Sequence, residues 1–118
     1  MAGITTKSFS SPDETRTPPN TTVEVVRLGG ETAARFTFQP GWRWSQDVAP
    51  VVGTASCQAR HVGAVHQGTM HLTHEDGTEA EVSVGDAYTI DPGHDAWVVG
   101  DEPVVVLEFE SGESYAKA

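Results

Sequence analysis

Positive charge is scarce in this chain. Seven Lys and Arg residues stand against 17 Asp and Glu residues, which leaves a formal net charge of -10. A surface of this charge repels a phosphate backbone and an anionic lipid headgroup alike. The composition therefore argues against nucleic acid and membrane surfaces as partners. It also favours a neutral or weakly polar small ligand, because no cluster of Arg residues is evident in the sequence.

Long apolar segments and paired cysteines are missing as well. No apolar run approaches the ~20 residues of a membrane-spanning helix. The first residues, MAGITTKSFSSPDE, lack the basic start and apolar stretch of a secretory signal. The single cysteine, Cys57, cannot close a disulfide within the chain. These absences predict a cytoplasmic protein.

Helical periodicity is weak throughout, since no stretch of about ten residues or more carries a convincing 3.6-residue repeat. Short segments rich in β-branched and aromatic residues alternate instead with Gly, Pro, Asp and Asn, which is the pattern of strands joined by turns. In a chain of 118 residues this predicts one all-β domain, an antiparallel sandwich or small barrel. The predicted strands cover residues 23–28, 34–38, 55–66, 69–74, 79–84, 87–90, 96–99 and 104–110.

The two ends of the chain differ in composition from its middle. Residues 1–22 are rich in Thr, Ser and Pro and predict a flexible N-terminal arm, in which residues 11–14 have the Ser-Pro-x-Glu pattern of a single helical turn. Residues 23–110 hold all the predicted strands and form the β-barrel. Residues 111–118 predict a polar C-terminal tail.

Three segments resemble the cupin superfamily. HVGAVHQGTMHL (61–72) is similar to the end of the first cupin motif, and DGTEAEVSVGDAYTIDPGHDAW (76–97) is similar to the second, with its Gly-Asp and Pro-Gly pairs. PGWRWS (40–45) is similar to a segment of small single-domain bacterial cupins. The resemblance implies a cupin-like antiparallel β-barrel, also called a double-stranded β-helix or jelly roll, and a homodimer. It does not imply one reaction, because cupins include storage proteins, isomerases and dioxygenases.

The metal ligands that the resemblance implies are only partly present. The usual His-x-His, Glu and later His fall at Ala55, Cys57, His61 and Ala96. The two alanines carry only a methyl group, which cannot bind a metal. Cys57 and His61 share a face of the predicted strand, and His94 shares a face with the position two residues after it. Cys57, His61 and His94 together would suit zinc, with iron and manganese as alternatives and a fourth position open to water or substrate.

Several functions remain open at this point. One is a small cupin-domain protein that binds a small molecule in its barrel without metal, because a lone Cys is most often a small buried apolar residue. Another is a metal-dependent enzyme of the isomerase, lyase or dioxygenase type that uses Cys57, His61 and His94. A third is a metal-free catalyst in which His61 or His94 is the base. The sequence does not decide whether the protein is an enzyme.

The three tryptophans allow two interpretations. Trp42 and Trp44 share a face if their segment is extended, and Trp97 follows a Pro-Gly turn. Large aromatic side chains stiffen a small core, but they also line the mouths of small-molecule sites. In the second case Gln58 and Asp95 would supply polar contacts to a ligand bound between the indole rings.

Overall fold

The computed structural model describes residues 3–117, which form two antiparallel β-sheets and three short helices. The elements in chain order are β1 (Glu14–Arg16), β2 (Thr21–Leu28), β3 (Glu31–Phe38), α1 (Trp44–Asp47), α2 (Ala49–Val52), β4 (His61–Gln67), β5 (Thr69–His74), β6 (Glu79–Ser83), β7 (Ala87–Ile90), β8 (His94–Val98), β9 (Val104–Glu108) and a 3-10 helix (Ser111–Glu113).

The strands divide into a six-stranded and a three-stranded sheet. The first has the order β1-β2-β3-β9-β4-β7, and the second has the order β6-β5-β8. Alternate residues of β8 and β9 are buried, as expected when one face of each sheet is covered. Side chains from both sheets, such as Phe36 from β3 and Met70 from β5, contribute to a single hydrophobic core. The predicted all-β class is therefore confirmed.

The predicted strand over residues 55–66 is wrong in its first half, because β4 begins only at His61. Cys57 pairs with the first residue of β8, in the three-stranded sheet, whereas β4 pairs with β7 and β9 in the other sheet. The chain must cross from one sheet to the other between Cys57 and His61. No regular strand can continue through that crossing, so Cys57 and His61 meet through a loop and not through strand alternation.

The N-terminal segment is paired to a larger extent than a flexible arm would be. Residues 14–16 form β1 alongside β2, which itself begins at Thr21, and residues 11–14 form no helical turn. Glu14 adds to the backbone pairing, because its carboxylate accepts from Arg27 Nη2 on β2 at 2.6 Å as well as from Arg16 Nε within β1 at 2.7 Å. Backbone pairing and this ion pair together hold a segment whose Thr, Ser and Pro content predicted a flexible arm.

The C-terminal segment is also docked, in contrast to a free polar tail. Ser111, Gly112 and Tyr115 are buried. Arg16 Nη1 donates to the Tyr115 carbonyl at 2.6 Å, and Arg27 Nε donates to Glu113 at 2.7 Å. Arg16 on β1 and Arg27 on β2 thus hold the segment after β9 against the core.

Two helices between β3 and β4 were not predicted. Each has only four residues, which is too short for a helical repeat to appear in the sequence. No helix within residues 3–117 has the length and apolar character needed to cross a bilayer. The cytoplasmic location and the homodimer stay predictions.

Phe36 offers a test of the shared core. Its side chain is 0% exposed, and its ring stacks on that of Tyr115 at a centroid distance of 4.6 Å. Phe36→Ala should lower the free energy of unfolding by about 3–5 kcal/mol in urea denaturation, because it leaves a cavity in a packed interior. The matched control is Phe109→Ala at a ring that is 58% exposed, which should change stability by no more than about 0.5 kcal/mol. Equal losses in the two variants would contradict this placement of the core.

Candidate metal site

Backbone pairing brings Cys57 beside His94. The two residues form an isolated antiparallel bridge, in which the Cys57 N–H donates to the His94 carbonyl at 2.8 Å. The Gly93 N–H donates to the Cys57 carbonyl at 2.7 Å, and Gly93 has a φ of 103°, which glycine adopts without strain. Residues directly opposite each other in such a pair project to the same face. The Pro-Gly turn before β8 therefore places the imidazole of His94 next to the thiol of Cys57.

His61 completes the cluster from the first position of β4. Its Nε2 lies 3.6 Å from Cys57 Sγ. One ligand atom from each of Cys57, His61 and His94 lies within 4.8 Å of the other two. The three side chains are only 3%, 3% and 4% exposed. The structure thus brings together the three residues that the sequence suggested as metal ligands.

Both imidazole rings are oriented by hydrogen bonds through Nδ1. His94 Nδ1 lies 2.8 Å from the Asp91 carbonyl, an acceptor that requires a proton on this nitrogen. His61 Nδ1 lies 2.5 Å from Glu108 Oε1, and the imidazole donates to this carboxylate. In the neutral rings Nε2 is then the atom with the free lone pair. Metal-binding histidines are usually held in this way, with the second ring nitrogen bonded to a carboxylate or a carbonyl.

Glu108 is the centre of a buried hydrogen-bond network. This carboxylate is 3% exposed and also accepts from Ser111 Oγ at 2.5 Å and from Tyr88 Oη at 2.6 Å. Position 63 needs a glycine, because a Cβ there would clash with the Leu107 carbonyl oxygen on β9 and lie 2.8 Å from Glu108 Cγ. Three donors on one carboxylate fix its position, and through it the position of the His61 ring.

The sequence interpretation missed Glu108, although a signal was present. In VVVLE (104–108) the alternation that buries Val104 and Val106 also places Glu108 on the inner face. A carboxylate at an inward position is rarely buried without a partner. The Tyr88 and Ser111 hydroxyls carried no comparable signal, because their approach to Glu108 depends on how β7 and the C-terminal segment pack.

Electrostatics favours a thiolate in this cluster. Burial raises the pKa of the Cys57 thiol, but hydrogen bonds with His61 and His94 outweigh burial and hold this pKa below its usual value. Burial lowers the pKa of His61, whereas its contacts with Cys57 and Glu108 raise it above the usual value. Burial and the charge of Glu108 raise the pKa of Tyr88, so the Tyr88 hydroxyl keeps its proton and donates. Without a metal these shifts favour a thiolate that accepts a hydrogen bond from the protonated His61 ring, and a divalent ion would take the place of the Nε2 proton.

A small chamber adjoins the two histidines. Its volume is about 20 Å³, which holds about one water molecule. Two of its lining residues, Trp42 and Tyr115, each have a buried polar atom, Nε1 and Oη, without a hydrogen-bond partner among residues 3–117. A buried donor without an acceptor costs roughly 1–3 kcal/mol. The chamber wall is mainly aromatic and aliphatic, formed by Phe36, Phe38, Trp42, Trp44, Met70, Leu72, Ile90, Ala96 and Tyr115 beside His61, His94 and Glu108.

A larger cavity lies on the thiol side of the cluster. Its volume is about 230 Å³, and Cys57 forms part of its wall. Trp44 and Gln58, which we predicted as ligand-binding residues, line this cavity. Trp44 and Tyr115 line both the chamber and this outer cavity, so the two side chains stand between them.

The structure places Asp95 and Trp97 away from the chamber, which corrects their predicted position at a barrel mouth. Both alternate with the buried residues of β8 and therefore face outward. Asp95 accepts from the Ser45 N–H at 3.0 Å and from Ser45 Oγ at 2.8 Å. The Trp97 ring stacks on His71 at 4.6 Å and lies 4.3 Å from the Arg43 guanidinium. Asp95 and Trp97 therefore make their contacts on the outer face of the three-stranded sheet.

The donor set fits a divalent metal. Zinc bonds of about 2.3 Å to sulfur and about 2.0 Å to nitrogen place tetrahedral sulfur and nitrogen ligands about 3.5 Å apart. The Cys57 Sγ to His61 Nε2 distance of 3.6 Å agrees with that separation. Thiolate and imidazole ligands suit zinc better than the oxygen-preferring metals. The chamber beside His61 and His94 is also lined by Trp42 and Tyr115, whose buried polar atoms have no hydrogen-bond partner among residues 3–117.

Comparison with solved structures identifies the fold. The chain aligns with a mutant oxalate decarboxylase from Bacillus subtilis at a TM-score of 0.68 and 16% identity, over 95% of this chain and 30% of that chain. A double-stranded β-helix protein from Klebsiella pneumoniae aligns at 0.58 and 17% identity, over 93% of this chain and 86% of that one. A cupin-like protein from Thermotoga maritima aligns at 0.53 and 16% identity, over 76% and 67%. The protein therefore has the cupin fold, as the resemblance implied. No protein-family model and no curated protein matches the chain by sequence.

Glu108→Gln tests the buried network. The amide keeps the size of the side chain but offers one acceptor oxygen where the carboxylate offers two. Because His61, Ser111 and Tyr88 all donate to Glu108, at least one donor should lose its partner, and the free energy of unfolding should fall by about 1–3 kcal/mol. Urea denaturation of the metal-free protein measures this.

The control for this substitution is Glu110→Gln. Glu110 is an exposed partner of Arg60, two residues further along the chain, and its loss should change stability by no more than about 0.5 kcal/mol. A Glu108→Gln protein as stable as the control would show that the network does not stabilise the fold.

Proposed function

We propose that this cupin-fold protein binds one divalent metal ion, for which zinc is best suited, through Cys57, His61 and His94. The orientation of the two histidines carries the proposal. Each donates from Nδ1 to a fixed acceptor, Glu108 for one ring and the Asp91 carbonyl for the other, which leaves Nε2 as the nitrogen that can bind a metal. His61 Nε2 lies 3.6 Å from Cys57 Sγ, and the ligand atoms of all three residues lie within 4.8 Å of one another.

The number of protein ligands favours a catalytic metal site over a purely structural one. Structural zinc sites are closed by four protein ligands, whereas catalytic sites keep a position free. The described cluster has three ligands and adjoins a chamber. When bound, a divalent ion would act as a Lewis acid that polarises an oxygen of the substrate. The proposed class is therefore a metal-dependent enzyme of the isomerase, lyase or dioxygenase type.

Each surrounding residue then has a defined task. Glu108 holds the His61 ring and is itself held by hydrogen bonds from Tyr88 and Ser111. The aromatic wall of the chamber excludes bulk water, which strengthens electrostatic interactions inside it. The outer cavity, which reaches Cys57, gives a small substrate a place beside the cluster.

A second candidate function is small-molecule binding without a metal. The observation that favours it is the outer cavity of about 230 Å³, which is lined by Trp44, Val52 and Ala59 together with Gln58 and Lys117. Apolar walls with a few polar groups are typical of small-molecule sites. In this case Cys57 and His61 would remain a hydrogen-bonded pair.

Equilibrium dialysis of zinc against metal-depleted protein separates the two candidates. We expect one zinc ion per chain in the wild-type protein. Cys57→Ser, His61→Gln and His94→Gln should each weaken binding by more than the roughly 10–100-fold that follows loss of an outer hydrogen-bond partner. Zinc should also raise the thermal midpoint of the wild-type protein, because a ligand that binds only the folded state stabilises it.

His66 and His71 provide matched controls. His66 is exposed, and His71 lies on the outer side of the three-stranded sheet against Trp97. Glutamine at either position should leave zinc binding unchanged. If the wild-type protein binds no zinc, iron or manganese, or if His66→Gln weakens binding as much as His61→Gln, the metal proposal fails. Retained binding of an apolar fluorescent probe, lost on substitution of Trp44, would then support the second candidate.

A further inference from the structure

Trp42 and Tyr115 each bury a polar atom that has no hydrogen-bond partner in the described part of the chain. Both are buried, at 2% and 3% exposure, and the indole Nε1 and the phenol oxygen have no hydrogen-bond partner among residues 3–117. They come from distant parts of the chain, one just before α1 and the other after the 3-10 helix. Both line the small chamber that His61 and His94 also line.

The positions of the two side chains are fixed by aromatic stacking. The Trp42 ring stacks on Phe38 at 3.9 Å, and the Tyr115 ring stacks on Phe36 at 4.6 Å. Tyr115 also meets the edge of His61 at 5.5 Å. Phenylalanine would satisfy the stacking in both places without burying a polar atom. The indole N–H and the phenol O–H are therefore not explained by packing.

We infer that Trp42 and Tyr115 are the specificity-determining donors for a very small ligand of this site. The ligand carries hydrogen-bond acceptors and has no more than about three non-hydrogen atoms, with one acceptor end in the chamber and the other at the ion, because a chamber of about 20 Å³ holds about one water molecule. The inference rests on the proposed metal site, since the ligand lies between the two donors and the ion held by Cys57, His61 and His94.

The chemistry of the two donors narrows the ligand class. An indole N–H can only donate, and a tyrosine hydroxyl beside an aromatic wall donates to any acceptor placed in the chamber. Hydrogen bonds to a charged acceptor are the stronger kind. A small inorganic anion or a small acceptor end of a substrate therefore fits, whereas the body of a larger substrate must remain in the outer cavity beyond Trp44 and Tyr115.

Azide is a suitable probe, because it is a linear anion of three atoms with acceptors at both ends. We expect azide to change the visible spectrum of the cobalt-loaded protein, and propionate, which is larger, to change it far less at equal concentration. Trp42→Phe and Tyr115→Phe should each raise the dissociation constant of azide by about tenfold or more, because each removes one hydrogen bond to a charged ligand. Tyr115→Phe should not lower the stability of the azide-free protein, because it removes only the unpartnered hydroxyl, whereas Trp42→Phe also removes buried volume and should lower it.

Trp97→Phe is the matched control, because Trp97 lies on the outer side of β8 and should not affect azide. An independent readout is the indole N–H resonance of Trp42 in the zinc-loaded protein, which azide should shift while that of Trp97 stays in place. Equal azide affinity in all variants, or propionate binding as tight as azide binding, overturns the inference while leaving the metal site intact. Failure of cobalt and zinc to bind would instead remove the proposed function, and the inference with it.

Discussion

The hydrogen bond between His61 Nδ1 and the buried Glu108 carboxylate is the constraint on which the site depends. A carboxylate at 3% exposure is stable only when its oxygens are satisfied, and here His61, Ser111 and Tyr88 satisfy them together. The arrangement fixes one ring nitrogen of His61 and leaves the other facing Cys57. The same hydrogen bond therefore stabilises the fold, because it satisfies a buried carboxylate, and orients the His61 ring for metal binding.

The fold assembles this network from segments that are far apart in the sequence. β4 supplies His61, β7 supplies Tyr88, β9 supplies Glu108, and the C-terminal segment supplies Ser111. That last segment is held by Arg16 and Arg27 on the N-terminal strands, so both ends of the chain contribute to the site. The metal cluster draws on both sheets as well, because Cys57 pairs with β8 while His61 belongs to the six-stranded sheet.

Sequence patterns predicted the class of the fold and the composition of the cluster, and they failed where contacts between distant segments decide the outcome. The alternation in residues 104–108 and the turn signals located most strands, and the cupin resemblance singled out Cys57 and His61. Alternation along one strand gave the wrong reason for their meeting, since the chain changes sheets between them. Trp97 was predicted to contact a ligand because it is a large aromatic residue after a turn. In β8 it alternates with the buried residues and therefore faces outward. The burial of Tyr115 could not be predicted from a short polar tail, because this segment is held by a hydrogen bond from Arg16 on β1 and an ion pair with Arg27 on β2.

X-ray absorption spectroscopy of the zinc-loaded protein would identify the metal ligands by element and distance. We expect one sulfur at about 2.3 Å and two imidazole nitrogens at about 2.0 Å, plus a light atom from a non-protein ligand. The sulfur signal should vanish in Cys57→Ser, and the multiple scattering typical of imidazole should be halved in His94→Gln. A shell made only of oxygen or of nitrogen, with no sulfur in the wild-type protein, would show that Cys57 is not a ligand and that the proposed site is wrong.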